Sequence, residues 1–445
     1  SGLEISRSRG SICRWNNLTV PKQRSTPDFR PRSAFQKAVD VPWHGGRHRG
    51  ALHERKVLRR NKMENYYTFA DHMSGLYNLL EDTVSRQVFW ARLQFDCEKN
   101  FKNEAQLFQL TGFATKEELL IRRTLPEKSL QIKMTGKKLF LYGASTIGQM
   151  LGSMLLREGD FFAFCARSPE KYPNGVLGKP VYPPDYVFEH PDDCYVLISA
   201  EYRMKEIYNI LVEHNFPREH IILLFDDATT EEMEKRQYFE FPLLFPKGTA
   251  FVDGGCFDCE TSKRFAEWCD NHYSKILAFE PDRKNYQKCL SISDNSKLRL
   301  ELLPFGLSDQ REIVCFAANG KGDSFIFETS QADNQTCFYN SSREDCVKNK
   351  TTIQAVALDE VVQDTKVGFI KLDIEGSELS ALHGAQNTIL RDKPLMAVCV
   401  YHRCGDVLSI MDYLHRLVPE YHFWLRQYGT LGRETVLYAA INIKK

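Results

Sequence analysis

Apolar positions change their period along the chain, and the changes mark out its elements. From Met63 to about Thr135 they recur at three- and four-residue steps, with Leu76, Leu79, Leu80, Val84, Val88 and Phe89 separated by Asp and Arg. That period predicts a helical lead-in over residues 63–136. At Lys138 the pattern turns to an unbroken apolar run, Leu139-Phe140-Leu141-Tyr142. It breaks at Gly143-Ala144-Ser145-Thr146-Ile147-Gly148 and resumes as an apolar helix from Met150 to Leu156. Strand-like runs from Phe161 to Ala166, Tyr195 to Ser199 and Ile221 to Phe225, with a helical stretch from Met204 to Glu213, keep the alternation going. Residues 137–245 therefore read as a small Rossmann-like α/β domain.

The stretch from Thr229 to Arg236 is charged and short of large apolar residues, and Phe241-Pro242-Leu243-Leu244-Phe245-Pro246 reads as a linker ending in a turn at Lys247-Gly248. Residues 246–445 then repeat the alternation. Strands are expected from Thr249 to Asp253, Lys275 to Glu280, Leu298 to Pro304, Val367 to Asp373, Leu395 to Tyr401, Tyr421 to Arg426 and Thr435 to Ala440, the last two joined as a hairpin. The expected fold class is α/β, with two Rossmann-like doubly wound domains. An insertion between Ile313 and Ala357, with pieces such as Ser324-Phe325-Ile326-Phe327, is placed to cover the mouth of the second sheet, where long loops choose substrates.

Length and composition agree with two folding units. At 445 residues the chain exceeds the size of about 250 residues at which single cores stop growing. No apolar run approaches the roughly 18 to 20 residues that span a bilayer, and no secretory leader pattern opens the chain, so a cytoplasmic protein without a membrane span is expected. Charge is unevenly spread. Residues 1–62 carry 15 Lys and Arg against 4 Asp and Glu, which leaves 44 against 54 in the rest. The acidic remainder argues against a nucleic-acid partner. The basic leader has no periodic apolar face and reads as disordered, with the ordinary start of the protein expected at Met63-Glu64-Asn65-Tyr66. Thirteen scattered cysteines point to reduced thiols in a reducing compartment. Cys256 and Cys259 have the spacing of a zinc half-site or redox pair, but no second Cys or His pair stands at ligand spacing.

Three motifs carry chemistry. In Phe251-Val252-Asp253-Gly254-Gly255-Cys256-Phe257-Asp258-Cys259-Glu260-Thr261 an apolar strand breaks at an acid and two glycines before a helix, as a backbone lying against a ligand requires. In Ile276-Leu277-Ala278-Phe279-Glu280-Pro281, 27 residues on from Asp253, an acid ends the second strand where it can accept both hydroxyls of a ribose. In Phe369-Ile370-Lys371-Leu372-Asp373-Ile374-Glu375-Gly376-Ser377-Glu378 a buried strand delivers two acids and a lysine to a ligand-binding edge. A plain ion pair of Lys371 with an acid is the alternative there. The first domain carries a weaker fingerprint. Its turn is G-x-x-x-x-G, and the next strand ends in Cys165-Ala166-Arg167 without an acid for a ribose, so a ligand there is an open possibility. Its segment Gly178-Lys179-Pro180-Val181-Tyr182-Pro183-Pro184 loosely resembles the nucleotide-binding domains of sugar acyltransferases.

Together the C-terminal motifs resemble the FkbM methyltransferase family. Its pattern of V-D-x-G, F-E-P, I-K-x-D-x-E-G-x-E, Y-H, L-R-x-Y and E-T-V-L-Y-A is met here up to Val400-Tyr401-His402, Trp424-Leu425-Arg426-Gln427-Tyr428 and Glu434-Thr435-Val436-Leu437-Tyr438-Ala439. The resemblance spans about residues 245–440 and departs at Cys259, where the family has Gly. It implies a seven-stranded class I methyltransferase fold with a terminal β-hairpin, S-adenosylmethionine as cofactor, and methyl transfer to a hydroxyl of a sugar, glycan or other secondary metabolite. It further implies cofactor contacts from Asp253, Gly254, Gly255, Cys256, Phe257, Thr261, Glu280, Pro281 and Ser308, and a catalytic group of Asp373, His402, Glu375 and Lys371. An alcohol needs its proton removed, and His402 and Asp373 rank level as the base. Asp373 and Glu375 could alternatively hold Mg2+.

Two other readings stay open at this stage. A nicotinamide-dependent dehydrogenase or epimerase would use two Rossmann-like units, but neither turn is G-x-G-x-x-G. A non-catalytic nucleotide- or nucleotide-sugar-binding module is the other. The first domain either binds a nucleotide-linked sugar, serves as an oligomer contact or braces the second.

Overall fold

A computed structural model describes residues 71–200, 203–224, 227–295, 297–317, 325–327 and 350–441. The basic leader and most of the insertion lie outside these residues. Residues Met73–Lys445 form one compact unit. Its lead-in is not one helix. Leu80 pairs with Phe423 as an isolated bridge, and Asp82 then caps helix α1 (Thr83–Cys97) by accepting from the Ser85 amide. Helices α2 (Phe101–Gln109) and α3 (Lys116–Met134) follow, α3 opening on a capping box between Thr115 and Glu118.

The first sheet has β1 (Lys138–Tyr142), β2 (Ala163–Cys165), β3 (Val181–Tyr182), β4 (Cys194–Ile198) and β5 (Ile221–Ile222). Its order is β3-β2-β1-β4-β5, all parallel, with helices α4 (Thr146–Glu158), α5 (Pro184–Glu189) and α6 (Met204–Glu213) in its crossovers. The charged stretch after it is helical too, as α7 (Asp227–Arg236), because Met233 supplies a buried anchor that the composition hides.

The second sheet has β6 (Ala250–Gly254), β7 (Ile276–Phe279) and β8 (Leu300–Leu303), with helices α8 (Glu260–Trp268) and α9 (Arg283–Asn295) between them. A side sheet follows, made of β9 (Gly306–Leu307), β10 (Glu312–Ala317), β11 (Phe325–Phe327) and β12 (Lys350–Val356), in the order β11-β10-β12-β9. After helix α10 (Leu358–Val362) the chain returns with β13 (Val367–Leu372), α11 (Glu378–His383), α12 (Gln386–Asp392), β14 (Leu395–Cys399), α13 (Asp406–Leu417), β15 (His422–Gln427) and β16 (Thr435–Ala440). The order is β15-β16-β14-β13-β6-β7-β8, with β16 alone antiparallel to its neighbours. Both faces of β6, β7, β13 and β14 are buried, which explains their unbroken apolar runs. The chain winds outward through β7 and β8 in one direction and through β14 in the other, so β6 and β13 flank the switch point where doubly wound sheets bind ligands.

Helix α1 packs between the two sheets. Ala91 and Phe95 join the core of the first, and Val88 and Phe89 join that of the second. It also covers the edge strand β15, since Ser85 Oγ accepts from the Leu425 amide at 3.0 Å and Asp82 meets Arg426 at 2.6 Å. A buried Arg122–Glu104 pair at 3.1 Å fixes α3 to α2, and Glu104 also accepts from the Leu431 amide in the β15–β16 turn. Among the described residues no helix is long and apolar enough to cross a membrane.

Candidate active site

The loop after β6 is shaped by its glycines. A Cβ on Gly254 would lie 2.8 Å from the Leu372 side chain, and one on Gly255, whose φ is 76°, would lie 2.0 Å from the carbonyl oxygen of Asp373. Only glycine permits that approach. Asp253 is fully buried and accepts from Ser262 Oγ at 2.7 Å. Its other oxygen faces Lys371 Nζ at 3.1 Å, and the same ammonium donates to the carbonyls of Gly254 (3.0 Å) and Gly255 (2.7 Å). Lys371 is thus spent on bracing the loop from beneath. Burial works to lower its pKa, but Asp253 and Asp373 outweigh it and hold the ammonium charged. Phe257 and Cys259 close the loop with φ of 52° and 62°, so the cysteine adopts the left-handed backbone that favours glycine.

Glu280 follows β7 directly and stands over this loop. One carboxylate oxygen accepts from the Phe257 amide at 2.9 Å and the other from the Asp282 amide at 2.8 Å. The two amides aim the carboxylate and leave lone pairs for further donors. Burial pushes its pKa up to about 7, with Asp282 adding to the rise and the two amides opposing it. Pro281 follows it half-buried, and Thr261 lies in the first turn of α8. Ser308 is buried just past β9, beside the Leu307 that abuts Gly254, and its hydroxyl donates to Glu312 (2.9 Å) and Asp309 (3.2 Å).

Beyond β13 and β14 the acids gather round one imidazole. His402 is 7% exposed, with Nδ1 2.8 Å from Glu378 and Nε2 3.5 Å from Asp373 and 3.6 Å from Glu375. Burial opposes its charge, yet Glu378 and Glu375 prevail and lift its pKa to about 10, so it is an imidazolium at neutral pH. Burial likewise opposes the charge of Asp373, which Lys371 and His402 hold below the usual carboxylate range. Asp373 Oδ2 accepts from Tyr238 Oη at 2.6 Å, and Oδ1 from Tyr401 Oη at 3.4 Å. Tyr401 also reaches Glu434 at 3.2 Å, and Gln237 donates to the same carboxylate at 2.5 Å.

Asp373, Glu378 and His402 bring ligand atoms within 4.8 Å of one another, as do Asp373, Cys399 and Glu434. Mg2+ takes oxygen ligands. One group includes an imidazole and the other a thiol, so neither is an all-oxygen set. Neither group is the Asp373–Glu375 pair expected for Mg2+, and nothing in the described residues supports that ion.

The structure therefore brings Asp253, Gly254, Gly255, Cys256, Phe257 and Glu280 to one loop, and Asp373, Glu375 and His402 to the adjoining strand ends. Gln237 and Tyr238 come from between the charged stretch and the linker, where the sequence reading places no element. Their only sequence signal is an aromatic pair, Tyr238-Phe239, between charged and proline-rich segments, too short to show a period.

Part of the chain matches a known family. Residues 254–428 match the model of the methyltransferase FkbM domain. Among solved structures, the chain is similar to the methyltransferase FkbM from Methylobacillus flagellatus KT, at 17% identity over 80% of this chain and 99% of that one, with a TM-score of 0.40. It is also similar to an rRNA methylase from Streptococcus thermophilus, at 12% identity over 48% of this chain and 95% of that one, with a TM-score of 0.28. No curated protein matches the chain. Residues 254–428 are a methyltransferase FkbM domain.

Proposed function

We propose that this domain transfers a methyl group from S-adenosylmethionine to a hydroxyl of a sugar, glycan or other hydroxylated metabolite. The observation that carries the reading is the contact between loop and acids. The Asp373 amide donates to the Gly254 carbonyl at 3.2 Å, and its own carbonyl presses on Gly255, so a ligand in the loop lies beside the carboxylates.

When bound, the cofactor supplies an electrophilic methyl on a sulfonium. Gly254 and Gly255 let the loop close directly on Leu372 and the Asp373 carbonyl, and Glu280 would accept from the ribose hydroxyls, a charge-assisted contact. Lys371 and Asp253 keep the loop in place. Asp373 Oδ1, the more loosely held oxygen, would take the proton of the acceptor hydroxyl, whose own oxygen would receive the methyl group. Tyr238 fixes Oδ2, and the His402 imidazolium keeps Asp373 ionised. Positioning supplies much of the remaining rate.

Titration calorimetry with S-adenosylmethionine, S-adenosylhomocysteine and NAD tests the cofactor. A screen of sugars and hydroxylated metabolites with methyl-labelled S-adenosylmethionine tests the acceptor. Binding of NAD alone overturns the proposal, whereas label appearing on oxygen supports it.

A further inference from the structure

Helix α9 places Cys289, thirty residues beyond Cys259, against the loop that follows β6. The Sγ atoms of Cys256, Cys259 and Cys289 all lie within 4.8 Å of one another, and all three residues are fully buried. Cys256 and Cys259 stand 3.8 Å apart, sulfur to sulfur. A zinc–thiolate bond of about 2.3 Å gives a tetrahedral edge of about 3.8 Å, so the spacing is that of two ligands on one ion. The third thiol lies on the same side, with Cys289 Sγ 3.2 Å from the Phe257 carbonyl oxygen. Cys259 stands at the N-cap position of α8, without a side-chain capping bond of its own.

We propose that Cys256, Cys259 and Cys289 form a three-thiolate site for a thiophilic d10 cation, with Zn2+ as the physiological class of ion. Three sulfurs leave one tetrahedral position, for which the Phe257 carbonyl oxygen, 3.2 Å from Cys289 Sγ, is the oxygen at hand. On binding, the three thiols lose their protons to solvent and the ion takes their lone pairs, with no change in oxidation state. The ion would be structural, since the site is closed to solvent on every protein side described. Its effect falls on Phe257, whose carbonyl accepts from Cys289 Sγ while its amide holds Glu280. Filling the site would clamp the left-handed turn at Phe257 and Cys259 in place and aim Glu280.

The test uses the full chain, prepared under reducing conditions, and reads metal directly, so it stands apart from methyl transfer. After removal of metal with a chelator, Zn2+ and Cd2+ are titrated in against a competing dye. One ion per chain is expected, and Cd2+ should produce the ultraviolet charge-transfer band of thiolate ligands. Zn2+ should also shield Cys256, Cys259 and Cys289 from alkylation, as read by peptide mass spectrometry. Cys289→Ala and Cys259→Ala should each weaken binding at least about 100-fold, because even outer partners of metal ligands are worth about 10–100-fold. Cys97→Ser, at an exposed thiol, should leave the affinity unchanged. Absence of a charge-transfer band in the folded wild-type chain overturns the proposal, whatever the variants do. A Cys256–Cys259 disulfide surviving in protein purified without oxidant overturns it as well, in favour of a redox pair.

Discussion

Tyr238 donates a 2.6 Å hydrogen bond to Oδ2 of Asp373, across 135 residues of sequence. The tyrosine holds a φ of 73° and donates its own amide to Tyr438 Oη, so its ring is fixed from both ends. A hydroxyl aimed by a strained backbone at a carboxylate fits a residue that orients a proton acceptor.

Removing that hydroxyl should therefore slow turnover without loosening the cofactor. Hydrogen bonds to charged groups contribute about 1.5–3 kcal/mol, so Tyr238→Phe should lower kcat by about tenfold or more. Dissociation constants for S-adenosylmethionine should stay within about twofold. Unchanged kcat with the true acceptor would show that Asp373 needs no such partner.

With Glu280 as the proposed ribose ligand, cofactor affinity should depend on pH. The Glu280 pKa in the free protein is raised to about 7, chiefly by burial, and only the carboxylate accepts from both ribose hydroxyls. Affinity for S-adenosylmethionine should rise as pH climbs from about 6 to 8, with proton release on binding. Glu280→Gln should abolish that slope and weaken binding by about 1–3 kcal/mol. Calorimetry in buffers of different ionisation enthalpy measures both effects, and a flat affinity profile in the wild type contradicts the assignment.

Lys371 offers a test of packing instead of chemistry. Its ammonium is the only counter-charge in contact with buried Asp253 among the ion pairs described. Lys371→Met leaves that carboxylate uncompensated, and breaking a buried pair costs about 3–5 kcal/mol. The double variant Asp253→Asn with Lys371→Met should recover part of this loss in denaturant unfolding. Equal losses in the single and double variants would mean the lysine acts through its backbone contacts alone.

The legible parts of this molecule are those where burial imposes a pattern. Strands β6, β7, β13 and β14 are apolar on both faces and read directly as runs, and Asp253, Glu280 and Asp373 follow because each ends or leaves such a run. Strand β3 escaped because two half-buried residues, Val181 and Tyr182, sit between prolines and show no period. Helix α7 escaped because Met233 is its one fully buried large side chain. Tyr238 and Cys289 make their contacts with residues thirty or more positions away, and no local spacing encodes those. The protonation of His402 was equally invisible, since it arises from Glu378 and Glu375 converging on a buried ring.

That protonation links stability to pH. A pKa raised from 6.5 to about 10 means the imidazolium binds its proton more tightly in the folded chain. The stabilisation is complete below pH 6.5 and disappears as pH rises through about 10. The difference in unfolding midpoint between wild type and His402→Gln should shrink over that interval. A difference that grew with pH would mean the ring is neutral in the fold.

The same proton decides between the two bases that the motif leaves level. A base must be unprotonated to act. His402 is charged until about pH 10, whereas Asp373 is ionised throughout the neutral range because Lys371 and His402 hold its pKa low against the effect of burial. With Asp373 as acceptor and cofactor saturating, kcat should be level from about pH 6 to 8 and fall toward pH 10, as the imidazolium that fixes the carboxylate is lost. With His402 as acceptor, kcat would instead climb roughly tenfold per pH unit over the same range, following the small neutral fraction. His402→Gln sharpens the contrast. It should keep measurable turnover and lose the alkaline fall if the ring only positions Asp373, and Asp373→Asn should then be the more damaging change. A rising profile that His402→Gln abolishes would transfer the role to the imidazole.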